Sequence, residues 1–140
     1  MSMLTDLRAR LVADAGVNAI TTRIRLVRSE QSDTLPRIVI HQINGNHEHH
    51  MTAATGVVNG RVQIDCHATS PVGSLALAEA VRQSLDGFQG SMGSTFVMTC
   101  HLDDERPQYT PPIEGGHPEA GVDAVQLDYI IGWQVTIPTF

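Results

Sequence analysis

"GRVQIDCHATSPVGSLALAEAVRQSLDGFQG", residues 60–90, decides the fold, because its hydrophobic period changes once along its length. Up to Thr69 the period is two. Val62, Ile64, Cys66 and Ala68 fall on one face, with Gln63, Asp65 and His67 on the other, as in a strand with one buried side. From Ser70 the period is helical. Ser70 can cap, Pro71 suits the first turn, and Gly87 ends the element. Leu77, Val81, Leu85 and Phe88 form the stripe to be buried, and Glu79, Arg82, Gln83 and Asp86 the wet one.

Working outward, "SMLTDLRARLVADAG" (2–16) places Leu4, Leu7, Leu11 and Val12 on one helical stripe, with Arg8 and Arg10 facing away and Gly16 as the stop. "TRIRLV" reads as a short strand, and "RIVIHQING" as a longer one after Pro36. "GFQGSMGS" lacks the Lys-Ser/Thr ending of a phosphate loop and reads as a turn, and "STFVMTCHL" is a strand. Asp103 to Gly121 reads as a loop, since it holds four prolines and shows little alternation. The last strand, "VDAVQLDYIIGWQVTI", aligns Val125, Leu127, Tyr129, Ile131 and Trp133. Helix, three strands, helix, two strands implies an α+β domain with a mainly antiparallel β-sheet packed against two helices.

The totals narrow the function. A chain of 140 residues is one ordinary domain, and 41% hydrophobic residues describe a globular one. Fifteen acids against nine bases, all nine arginine, give a net charge of −6, which argues against a broad grip on nucleic acid phosphates. The N-terminus reads as a helix and not as a signal peptide, and no apolar run approaches a membrane span. A soluble protein in a reducing compartment is therefore expected, with Cys66 and Cys100 as buried free thiols.

Two polar segments are candidates for chemistry. In "HQINGNHEHHMTAATG" (41–56), His41, His47, His49 and His50 crowd around Glu48. The residue four after His47 is Met51, so the zinc-peptidase spacing fails by identity. On a strand His47 and His49 would share a face and could chelate a transition metal weakly, but a zinc site needs further ligands that the sequence does not place. The expected reading is the solvated, long tip of a β-hairpin. The second segment, "LDDERPQY", offers Asp103, Asp104 and Glu105 followed by Arg106. Consecutive acids splay apart and do not converge as an acid–base pair, so either a charged partner contact or a plain solvated turn fits. No Ser or Cys stands in a nucleophile elbow. Neither catalysis nor a cofactor is implied.

In order and spacing, "LPRIVIHQING", "GRVQIDCHATSPVGSLALAEAVRQSLDGFQG", "LDDERPQYTPP" and "DAVQLDYIIGW" together resemble the tail-completion (tail-terminator, head-to-tail joining) proteins of long-tailed bacteriophages. The resemblance covers residues 3–133 of a single domain spanning 1–140, leaving 134–140 as a C-terminal arm. It implies a structural, non-enzymatic subunit of the virion neck or tail, assembled in the host cytoplasm as a homo-oligomeric ring, typically a hexamer. Such a ring caps the head-proximal end of the tail tube, halts polymerisation of the tube protein and docks the head-completion or connector protein, while genomic DNA passes through its lumen. The candidate interface residues are then His47, His49, His50, Asp103, Asp104, Glu105 and Arg106. Another neck or minor tail component of similar fold is the nearest alternative, and a small metal-binding protein using His47–His50 a remoter one.

Overall fold

The computed structural model describes residues 2–28, 34–110 and 122–139. The element order is α1 (Met3–Ala13), α2 (Ala15–Asn18), β1 (Ile24–Leu26), β2 (Arg37–Gln42), β3 (Asn46–His50), β4 (Ala53–Ala68), α3 (Pro71–Leu85), β5 (Gly90–Met92), β6 (Thr95–Thr110) and β7 (Val122–Gln134). The fold is α+β, as the sequence implies. The sheet runs β1-β2-β4-β7-β6-β5, with β3 also paired to β4. It is mixed, because β1 lies parallel to β2 while every other pair is antiparallel.

The period change at residue 70 is borne out. Val62, Ile64 and Cys66 are fully buried, and Ser70 Oγ accepts from the Gly73 amide to start α3. Leu77, Val81 and Leu85 are fully buried beneath the helix, and Gly87 closes it at φ +83, a left-handed conformation that favours glycine. Val125, Leu127, Tyr129, Ile131 and Trp133 of β7 meet the same core. Burying each large side chain contributes about 1.5–3 kcal/mol, so the β4–β7 centre under α3 dominates the stability.

The N-terminal helix differs from expectation. It ends at Ala13, where Asp14 caps a second short helix by accepting from the Val17 amide at 3.1 Å, so Gly16 lies inside α2 and stops nothing. Leu7 and Leu11 are buried, but Leu4 and Val12 are only half-buried, with Met3 and Asp6 taking the deeper positions. Arg8 and Arg10 do not face away. Arg8 Nε donates to the Ile24 carbonyl at 2.7 Å, and Arg10 donates to the Ser84 carbonyl at 2.9 Å while stacking 3.8 Å above the Phe88 ring. Long arginine stems cover apolar surface while the guanidinium finds a carbonyl, which a stripe of Leu and Val cannot foretell.

Two further corrections concern the polar segments. "GFQGSMGS" contains β5, joined to β6 through Gly93 at φ +59. The reading of 103–110 as loop is wrong, for β6 continues to Thr110 along β7. Pro107 and three acids signal a loop only where a strand is flanked on both sides. On an edge strand the missing amide and the charges cost no ladder bond and blunt the edge. The rest of the expected loop, 111–121, lies outside the described residues.

Candidate functional site

The histidine-rich segment belongs to an arm. β4 pairs with β2 over Val62–His67 and with β7 from Val57 to Ala68, but from Ala53 to Gly56 the strand beside it is β3. The hairpin expected at 41–56 is present, yet its tip is short, just Met51 and Thr52, and the histidines stand on strand β3. All five β3 residues are exposed. Glu48 accepts from Asn59 Nδ2 at 2.6 Å, and Thr55 Oγ1 donates to the Glu48 carbonyl at 3.1 Å, which ties the two strands together. The register shifts between His47 and His49, with the extra residues on β4, and both histidine side chains are exposed. Among the described residues no group of three or more His, Cys, Asp or Glu gathers as a metal site requires.

The arm is rooted by close backbone packing. Ile43 N–H donates to the Arg61 carbonyl at 2.8 Å, and Asn44 Oδ1 accepts from the Arg61 amide at 3.0 Å, carrying the β2 edge into β3. A Cβ on Gly60 would stand 2.5 Å from the Asn44 carbonyl and 3.0 Å from the Trp133 ring, so only glycine fits there. On the other flank Val135 N–H donates to the Gly56 carbonyl at 2.9 Å, extending the β7 pairing into the first residue of the C-terminal segment.

The acidic segment forms an ion-pair network on the sheet face turned away from the helices. Arg61 on β4 reaches Asp103 at 2.9 Å and Asp128 at 3.4 Å, while Arg106 reaches Asp128 at 3.0 Å and also pairs with Asp104. Hydrogen bonds that Arg106 donates to Asp128 first, then to Asp104, hold its guanidinium above its ordinary pKa. Asp128 is the hub, 7% exposed between two arginines, and its Oδ1 has no hydrogen-bond partner among the described residues. Alongside it, His41 Nε2 lies 3.3 Å from Asp65 Oδ2, and Gln63 donates to Asp65 at 2.9 Å. Thus Asp103, Asp104 and Arg106 are brought together, whereas His47, His49 and His50 stand apart on the arm at the far end of β4. Glu105 lies opposite Leu127, on the helix side of the sheet.

Arg61 and Asp128 were missed as site residues. The available signal was Asp128 at an outward position midway along β7, since a carboxylate there needs a cation on a neighbouring strand. The thiols offer no nucleophile. Burial pushes Cys100 up to about 12 and raises Cys66 further, so neither ionises near neutrality. Both are free and buried, as expected from their apolar surroundings.

The described residues thus present two charged surfaces, an exposed histidine-bearing strand and an ion-pair network across three strands. The sequence profile of a family described as tail completion protein gp17 matches residues 5–111. The chain belongs to that family. It is accordingly a structural protein of the phage tail. Among solved structures, a chain from the "Virion of native gene transfer agent (GTA) particle" is similar in fold, with a TM-score of 0.66 over 96% of each chain at 13% identity. No curated protein matches the chain. The matched span of the family runs from α1 through β6, so the arm, the edge strand and the helices all fall within it.

Proposed function

We propose that this member of the tail completion family caps the head-proximal end of the tail tube, ends its polymerisation and joins it to the head connector as a homo-oligomeric, typically hexameric, ring. The family match over residues 5–111 carries the reading, and the fold likeness to a virion chain over nearly the whole length supports it. The subunit has features such a ring uses. A ring joins two different patches by rotation, and this sheet has dissimilar exposed edges, one histidine-bearing and one acidic. A net charge of −6 suits a conduit, because acidic walls repel DNA phosphates instead of holding them. His47, His49, His50 and Asp103–Arg106 are the contacts we assign to neighbours or to the tube and connector.

Electron microscopy of particles made with the gene stopped early tests this reading. Full heads beside unattached tails of uncontrolled length are the expected result. Intact virions would overturn it. Heads joined to tails of normal length but failing at another step would point to a different neck or tail component.

A further inference from the structure

The two polar segments are both open strand edges. β3 bonds to β4 on one side, and among the described residues no strand pairs with its other side. β6 carries β5 along Thr95–Val97. The end of α3 then covers it, where Gly87 N–H donates to the Cys100 carbonyl at 2.7 Å and Asp86 accepts from the Leu102 amide at 3.0 Å. Beyond Leu102, among the described residues, no strand pairs with the outer side of β6.

Three geometric facts relate these edges. They lie on opposite sides of the sheet, β3 on the β2 side of β4 and β6 beyond β7. They run in opposite directions, because β3 to β4, β4 to β7 and β7 to β6 are each antiparallel. A second copy placed alongside by a rotation that keeps the strand direction therefore offers its β3 to this β6 in the antiparallel sense. Finally, the side chains are complementary. His47 faces the helix side with its partner Val58, and Glu105 faces the same side with its partner Leu127. Asp103, Asp104 and Glu105 are exposed, and the side chains of His47, His49 and Glu105 make no hydrogen bond or ion pair among the described residues.

We infer that β3 of one copy adds to the β6 edge of the next, setting His47 and His49 against the acids at 103–105, so that the sheet continues from subunit to subunit. This rests on the ring reading above and names its contact. β3 lies at the end of β4 where β7 finishes, and the open part of β6 lies where β7 begins. Successive copies are therefore staggered along their strands, which incline to the axis of closure as barrel strands do. The charges also protect the free subunit, since an uncapped edge bearing three acids resists pairing with another acidic edge.

The test uses assembled particles from phage encoding His47→Cys together with Glu105→Cys, treated with a short bismaleimide. Cross-strand neighbours and diagonal neighbours, about 5 and 7–8 Å apart, are both within its reach. The native thiols are buried and do not compete. A ladder of linked subunits beyond the dimer, absent from either single variant, is expected. Variant particles containing the chain at wild-type copy number but without a ladder would overturn the pairing and leave the ring standing. Wild-type particles lacking the chain would overturn the ring reading and this inference with it. If the cysteine pair is not incorporated, charge exchange decides. Glu105→Arg should weaken each contact about fivefold, within the range of cross-strand pairs, and adding His47→Glu should restore it. No restoration would overturn the pairing.

Discussion

β4 lives in two environments. From Val62 to His67 it has β2 on one side, β7 on the other and α3 beneath, and its inward residues at 62, 64 and 66 are fully buried. From Ala53 to Gly56 it has β3 beside it, and Met51 at the tip is fully exposed. The same strand is thus core in one half and arm in the other. What differs is the layer underneath, and with it the share of free energy each half contributes. A two-stranded ribbon is marginal by itself, so the arm depends on its root at Gly60 and Trp133.

That contrast can be broken at four points. The largest effect should follow Ile64→Ala in the core half, with a loss of about 2–5 kcal/mol in denaturant unfolding. A loss below 1 kcal/mol would mean the sheet centre is looser than its burial indicates. Gly60→Ala strikes the root, where the added methyl meets a carbonyl at 2.5 Å. About 1–3 kcal/mol is expected, with proteolysis appearing first between residues 46 and 56.

A third and smaller effect depends on pH. Asp6 in α1 accepts from the Thr95 and Ser94 hydroxyls beside Gly93, and these bonds, Thr95 first, hold its carboxyl below the usual carboxylate range. A lowered folded pKa stabilises above the unfolded value near about 4 and loses that contribution as pH falls through the folded value. Asp6→Asn should therefore lower Tm most at neutral pH and draw level with the wild type in acid. A gap unchanged from pH 7 to pH 2 would assign its effect to packing alone. Smallest is His49→Ala on the arm, which should leave Tm within the ~0.5 kcal/mol typical of surface changes while reducing incorporation into particles. A large thermal loss would show the arm to be part of the folding unit.

The same contrast explains what could be read in advance. The core half was legible because one buried side imposes period two on β4 and β7, and α3 declares itself by cap, stripe and terminal glycine. The arm half was not, since a ribbon wet on both sides needs no alternation; "NHEHH" carries no period and passed for a loop tip. The edge strand failed for a related reason. Pro107 and the acids at 103–105 forbid a central strand but suit an outer one, and whether a strand is central or outer is a property of the whole sheet. Arg8 and Arg10 were misplaced because a charged residue on a helix reads as wet, although its stem can lie on a neighbour.

By itself the sequence determined the α+β class, the buried faces of β4, β7 and α3, and the inert thiols, because each follows from local periodicity and apolar surroundings. The family, too, was legible in the order and spacing of its motifs. Only the tertiary structure decided that Asp103 and Asp104 belong to an ion-pair network with Arg61, Arg106 and Asp128, that the histidines stand on an arm, and that the two open edges face opposite ways. Those facts depend on which strands become neighbours, and residues 61, 106 and 128 meet only after three distant segments have paired.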